Sequence, residues 1–187
     1  MIFDKYLELV GKHAPLSPSQ HAWLRYDREK LRRVYLNRKA AEKGTRLHAF
    51  AAEAINLKRK QVNNKDTINL YINDGIKYNM STEVCLFYSY KCFGWADCIS
   101  FDDDKQMLRI HDLKTGEIPS SMEQLQIYAA LFCLMKGNDP RAIDIELRIY
   151  QSNAVLVDQP DPELIIDIMN LIIEDSEYLY QLDKEVI

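Results

Sequence analysis

The sequence predicts an α/β fold with a mixed central sheet flanked by helices, extra N-terminal helices and a C-terminal helix. Three observations predict it. Residues 16–60 are charged and spaced like helices. Residues 83–151 turn aromatic and β-branched in short alternating runs, interrupted by one apolar helical run at Met122–Lys136. Asp161-Pro162-Glu163 then opens a last amphipathic stretch. A chain of 187 residues is the length of one domain that can bury its own core. We read residues 1–187 as a single domain, with a basic helical part over 1–60, a sheet and helix over 83–151, and a terminal helix over 160–183.

The elements follow in order. Leu16-Ser17-Pro18-Ser19 reads as a helix start with Ser17 or Ser19 as N-cap, and helical spacing then joins Trp23, Leu24, Leu31, Val34 and Tyr35. Lys43-Gly44-Thr45 reads as a second start. Thr45 would cap a helix over 46–60 with Leu47, Phe50, Ala51, Ala54, Ile55 and Leu57 mostly inward. Residues 61–80 are polar, with room for a short helix and with Asn63-Asn64 and Asn73-Asp74-Gly75 as turn signals. Strands are expected at Val84–Tyr90, Gly94–Phe101 and Met107–Leu113, with a tight turn at Asp102–Lys105. The helix at Met122–Lys136 stops at Gly137-Asn138-Asp139-Pro140. Ile143–Gln151 alternates with Ile143, Ile145, Leu147 and Ile149 on one face, and Val155–Val157 is its candidate partner. The last helix runs from Asp161 to about Leu182, acidic in its first turn as the helix dipole prefers.

The formal net charge of −4 excludes a wholly basic nucleic-acid coat, but the charge is uneven. Between Arg25 and Lys65 the only acids are Asp27, Glu29, Glu42 and Glu53, whereas from Asp139 onward the only cations are Arg141, Arg148 and Lys184. The basic stretch is a candidate polyanion surface, or a set of solvated helix faces. No apolar run approaches a membrane span, Met1–Val10 lacks the layout of a secretory signal, and Cys85, Cys92, Cys98 and Cys133 read as reduced thiols. These features predict an intracellular, cytoplasmic protein (inside the host cell if viral) with no membrane partner.

The hairpin of the second and third strands carries the chemistry. A turn at Asp104-Lys105 pairs Phe101 with Leu108 and Ile99 with Ile110, both apolar, and two residues on it sets Asp97 opposite Asp112. Alternation puts Asp97, Asp112 and Lys114 on the apolar face. Two carboxylates at the edge of a core repel and are costly unless a hard cation such as Mg²⁺ or Mn²⁺ lies between them. The alternatives are carboxylates turned to solvent, or a buried Asp112–Lys114 ion pair.

Four separated pieces extend this pattern. They are Gly44-Thr45-Arg46-Leu47-His48, Gly94-Trp95-Ala96-Asp97, Asp112-Leu113-Lys114-Thr115-Gly116, and Gln124-Leu125-Gln126-Ile127-Tyr128. In order and on these elements, they resemble the RecB-like branch of the PD-(D/E)XK nuclease superfamily, over about residues 16–150. The resemblance implies a restriction-endonuclease-like αβββαβ core and a metal-dependent DNA nuclease, most simply an exonuclease acting on DNA ends or single strands. It implies one or two Mg²⁺ or Mn²⁺ ions held by His48, Asp97, Asp112 and the carbonyl of Leu113, with Glu83 as an additional carboxylate. Lys114 is implied as the catalytic lysine, assisted by Gln124 and Tyr128. Arg25, Arg28, Arg32, Arg33, Arg46 and Trp23 would contact the nucleic acid. No iron–sulfur cluster is expected, since no cysteine follows Cys133. His111 faces away from Asp112 and is not expected to ligate, and Glu53 is expected at the surface. Other readings are a catalytically silent nucleic-acid-binding module of the same fold, and a module whose acidic last helix docks a helicase or recombination partner.

Overall fold

A computed structural model describes residues 14–116 and 118–185. The segment Met1–Val10 lies outside the described residues. Among the described residues no helix is long and apolar enough to cross a membrane.

The chain divides between Lys43 and Gly44 into two compact units. In the first, Leu16-Ser17-Pro18-Ser19 does start a helix, but a 3-10 helix, Pro18–Arg25, bent at Gln20. The Ser17 hydroxyl accepts no capping N–H and lies 2.9 Å from that of Ser19, while the Ser17 carbonyl accepts the Gln20 N–H at 3.1 Å. The α-helix α1 (Arg28–Asn56) begins instead after Asp27, whose Oδ1 accepts the N–H of Lys30 at 2.7 Å. That is an N-cap bond to the third helical residue. Leu24, which helical spacing groups with Trp23 and Leu31, is exposed.

A second correction concerns Lys43-Gly44-Thr45, which opens no new helix: α1 runs through it. A glycine in a helix interior costs only about 1 kcal/mol, and packing of Ala51, Ala54 and Ile55 outweighs it. Phe50 and Leu57, expected inward, are exposed.

In the second unit, α2 (Thr67–Lys77) takes in Asn73-Asp74-Gly75, which is therefore not a turn. A Cβ on Gly75 would stand 2.7 Å from Ile55 Cδ1, so the glycine is a packing residue. The strands are β1 (Ser81–Ser89), β2 (Cys92–Asp102), β3 (Met107–Leu113), β4 (Asp144–Gln151) and β5 (Ala154–Asp158). They form one mixed sheet in the order β1-β2-β3-β4-β5. Only β3 and β4 are parallel, and α3 (Glu123–Lys136) makes the crossover between them. Gly137 closes α3 in the left-handed conformation at φ 72°, as its sequence predicts. The chain ends in α4 (Pro162–Glu185).

The sheet is covered on both faces. One layer joins α3 and α4 to Leu86, Ala96, Ile99, Leu108, Ile110 and the Ile143–Ile149 row. The other joins Ala51, Ala54, Ile55, Tyr71 and Ile72 to Cys98, Leu113 and Tyr150. Thus Cys133 and Cys98 lie in opposite layers.

Candidate active site

The β2–β3 register is the one the sequence predicts, with Phe101 opposite Leu108 and Ile99 opposite Ile110. The connection is longer than expected, because pairing ends at Asp102 and Met107. Asp102 Oδ1 accepts the Lys105 N–H at 3.1 Å, and Gln106 takes a left-handed φ of 50°. Continued past Cys98 and His111, this register brings Asp97 opposite Asp112 at the carboxyl end of β3. In open sheets with parallel strands, ligands bind at that end.

Asp112 is 4% exposed. Burial pushes its pKa up, and the Asp97 charge adds to the shift; Lys114 and His48 pull the other way. Lys114 Nζ lies 3.0 Å from Asp112 Oδ2, yet that oxygen receives no aligned hydrogen bond. The ion pair that the sequence leaves open as an alternative is therefore present. Lys114 compensates the charge of this buried oxygen, while the poor alignment leaves a lone pair there that a second cation or donor could take.

Asp97 Oδ2 accepts the Leu113 N–H at 3.2 Å and lies 3.1 Å from His48 Nδ1. The hydrogen bond to Asp97 raises the His48 pKa above its ordinary value, burial opposes this, and Asp112 and Glu83 add smaller upward pulls. Lys114 Nζ donates to Gln124 Oε1 at 2.8 Å, and Gln124 Nε2 donates to the Tyr128 hydroxyl at 3.3 Å. Gln124 and Tyr128 thus share one face of α3, as their spacing requires.

The glycines of the motifs are contact points between elements. A Cβ on Gly44 would stand 2.8 Å from Thr115 Oγ1, and one on Gly94 would stand 2.8 Å from Tyr128 Cε1. All four sequence pieces therefore meet: Gly44 against Thr115, His48 against Asp97, Asp112 against Lys114, and Gly94 and Lys114 against the Gln124–Tyr128 pair. Glu83, opposite Asp97 in the β1–β2 register, is exposed and has a left-handed φ of 52°.

The donor set of imidazole and carboxylates has the chemistry that suits Mn²⁺ or Mg²⁺, and Asp112 Oδ2, which receives no aligned hydrogen bond, has a lone pair to offer a cation. Among the described residues, however, no three His, Cys, Asp or Glu side chains are already gathered around one point. Asp97 and Asp112 are each held by a basic neighbour, His48 and Lys114.

Two residues that the sequence did not single out hold the Asp112–Gly116 segment in place. The carbonyl of Tyr150 accepts the Lys114 N–H at 2.9 Å. Gln151 Nε2 donates to the carbonyls of Gly116 and Ile118, each at 2.7 Å, and its Oε1 accepts the Ser120 N–H at 3.2 Å. Only the parallel pairing of β3 with β4 brings them there, and no local pattern announces it. His111 is fully buried beside Tyr78 and Tyr150 on the face away from Asp112, as expected. Glu53 is exposed, also as expected.

Arg25, Arg28, Arg32 and Arg33 are exposed residues of the first unit. There Trp23 is half-buried, with its indole N–H donating to the Ser17 carbonyl at 3.0 Å. Arg46 is exposed in the second unit, which holds the site.

Comparison with known proteins finds no matching family model, no matching curated protein and no matching solved structure.

Proposed function

We propose that the protein is a divalent-metal-dependent deoxyribonuclease of the PD-(D/E)XK kind with a restriction-endonuclease-like core, acting on DNA ends or single strands. The observation that carries this reading is the convergence of His48, Asp97, Asp112 and Lys114 at the carboxyl end of β3, with the buried Asp112 carboxylate paired to Lys114 but not aligned with it for a hydrogen bond. His48, Asp97, Asp112 and the Leu113 carbonyl would hold Mg²⁺ or Mn²⁺, with Glu83 as a further carboxylate. The ion, when bound, supplies a water of lowered pKa and neutralises charge on the phosphate.

The chain's own groups do the rest. The Lys114 ammonium offers its donors to a phosphate oxygen, where negative charge grows as the phosphodiester bond breaks. Gln124 fixes the lysine through the bond to Oε1, and Tyr128 fixes Gln124 in turn. Arg46, exposed two residues before His48, adds positive charge for the DNA backbone.

The test is an end-labelled panel of single-stranded, blunt, overhanging and circular DNA with Mg²⁺ and Mn²⁺ in parallel. Linear DNA should be cut and circles spared, and Lys114→Ala should lower the rate by on the order of 100-fold or more. Salt-sensitive binding with no cutting by the unsubstituted protein would refute the reading. A second reading, docking of a helicase or recombination partner, draws on one observation: Ile127, Leu164, Ile168, Leu171 and Leu179 line a groove of about 590 Å³ beside Glu123 and Asp175.

A further inference from the structure

The β1–β2 hairpin carries a row of exposed aromatic rings that leads straight to Asp97. Val84, Leu86, Tyr88 and Ala96 turn toward the layer beneath α3 and α4. The alternate residues therefore turn to the opposite face. There Phe87 pairs with Phe93 and Cys85 with Trp95, and the next pair along the ladder is Glu83 and Asp97. Phe93 is 54% exposed and Trp95 57%. Phe87 stacks at a tilt on Phe93, centroids 6.3 Å apart, and meets Tyr90 edge-on at 5.4 Å. Burying such rings contributes more than burying any aliphatic side chain, so leaving several in water beside a reactive cluster calls for an occupant.

Charge and spacing select among occupants. From Val84 to Ala96 there is no Asp or Glu, in a chain with 28 of them, and the one charged residue is Lys91. The hairpin itself thus adds no negative charge along the row up to Asp97, and its lysine, Lys91, is paired with Asp183 of α4 at 2.6 Å. Successive rows on one face of a strand lie about 6.8 Å apart, twice the ~3.4 Å rise per nucleotide along the axis of a duplex. Bases can meet rings at that interval only when unpaired and splayed, and every base offers a π-face for stacking.

We infer that the Phe93–Trp95 row is a stacking platform for single-stranded nucleic acid, which threads its bases along the β1–β2 hairpin and delivers its backbone to Asp97. The inference rests on the nuclease reading for the fate of that strand, but not for its binding. Trp95 is the ring nearest Asp97 and stacks the base beside the reacting phosphate; Phe93, braced by Phe87, stacks the one beyond. The platform favours an unpaired strand over a duplex, and it tolerates any base sequence.

The experiment measures fluorescence anisotropy of a labelled oligothymidylate, and of a matched duplex, with the full chain in EDTA so that no cutting intervenes. The Phe93→Ala/Trp95→Ala variant should bind the single strand on the order of 10- to 100-fold more weakly. Duplex binding should change little, and Phe93→Tyr/Trp95→Phe should restore affinity because rings are kept. Both positions are exposed, and an unchanged melting temperature shows that the variant folds. Unaltered single-strand affinity in the double alanine variant overturns the platform, even if the protein cuts DNA. So does a drop in oligomeric state by sedimentation with DNA binding intact, which would assign the row to contact between copies of the chain. Ring-dependent binding by a protein that cuts nothing keeps the platform and removes the nuclease.

Discussion

Replacing His111 with Phe should flatten the acid side of the stability profile. His111 is fully buried, with Nδ1 3.3 Å from the Tyr150 hydroxyl and Nε2 without any partner. Burial, with Arg148 and Arg109 nearby, pushes its pKa down from 6.5 to about 3. Between those values the unfolded chain holds a proton that the folded chain refuses. Stability from this residue is therefore complete above 6.5 and is lost as pH falls, at about 1.4 kcal/mol per pH unit. At pH 5 the loss is about 2 kcal/mol, and this amount requires only that the folded value lie below 5. Phe keeps the ring packing on Tyr78 and Tyr150 and removes the unpartnered nitrogen, so stability near pH 7.5 should change by less than about 1 kcal/mol. The assay is thermal or urea unfolding of both proteins from pH 7.5 to 5.

The two proteins share the other titrations. The raised pKa of His48 adds stability that is complete below 6.5 and lost as pH rises through its folded value. The raised pKa of Asp112 makes its ionised form a burden that eases as pH falls. Both cancel in the difference between wild type and variant. That difference should grow in the variant's favour by about 2 kcal/mol, roughly 4–8 °C in Tm, between pH 7.5 and 5. A flat difference would refute the claim that His111 is held neutral by its surroundings.

Two further substitutions test how the site is held. Gly44→Ala gains about 1 kcal/mol of helix propensity but drives a methyl to 2.8 Å from Thr115 Oγ1. Thr115 is exposed and can yield, so unfolding should stay within about 1 kcal/mol of wild type while turnover in the proposed nuclease assay falls, because Lys114 is its neighbour. Gln151→Leu removes three hydrogen bonds to the 116–120 backbone. It should cost about 1–3 kcal/mol in urea unfolding and lower turnover without abolishing it, since no reacting group is lost.

Local pattern made much of the sheet legible. Met107–Leu113 emerges with its predicted bounds because two apolar cross-strand pairs, Phe101 with Leu108 and Ile99 with Ile110, fix one register and no other. Gly137 ends α3 because a left-handed residue is needed there. Elements whose signals depend on distant contacts differ from what local pattern predicts. Gly44 reads as a break in isolation, but its missing Cβ is what Thr115 needs, 71 positions later. Asn73-Asp74-Gly75 reads as a turn, but Gly75 meets Ile55, and Asp74 binds Arg148 and Tyr150 at 2.9 and 2.7 Å. The candidate site was legible as a set of residue types. What was not legible is the bracing from Tyr150 and Gln151, because the register of the parallel β3–β4 pair leaves no mark in local sequence.

The sheet departs from strict alternation where these groups gather. Ala96 and Ile99, three positions apart on β2, both belong to the layer under α3 and α4, while Cys98 belongs to the other. Strict alternation would put 96 and 99 on opposite faces, so β2 changes phase between them, at Asp97. On the neighbouring strand Glu83 bears a left-handed φ, which costs a non-glycine residue on the order of 1–3 kcal/mol. The two irregularities face one another across a single rung of the ladder. A regular β2 that kept Ile99 in the α3/α4 layer would send Asp97 into that same layer, away from α1. The change of phase lets Asp97 reach both His48 on α1 and the Leu113 N–H on β3. The strain at Glu83 is offset by the core on both sides of it, through Leu86 and Ala96 in one layer and Cys98 in the other. Strained rungs of this kind cluster at sites that handle a ligand, and this one stands beside the buried Asp112 carboxylate, which is where the proposed function would use it.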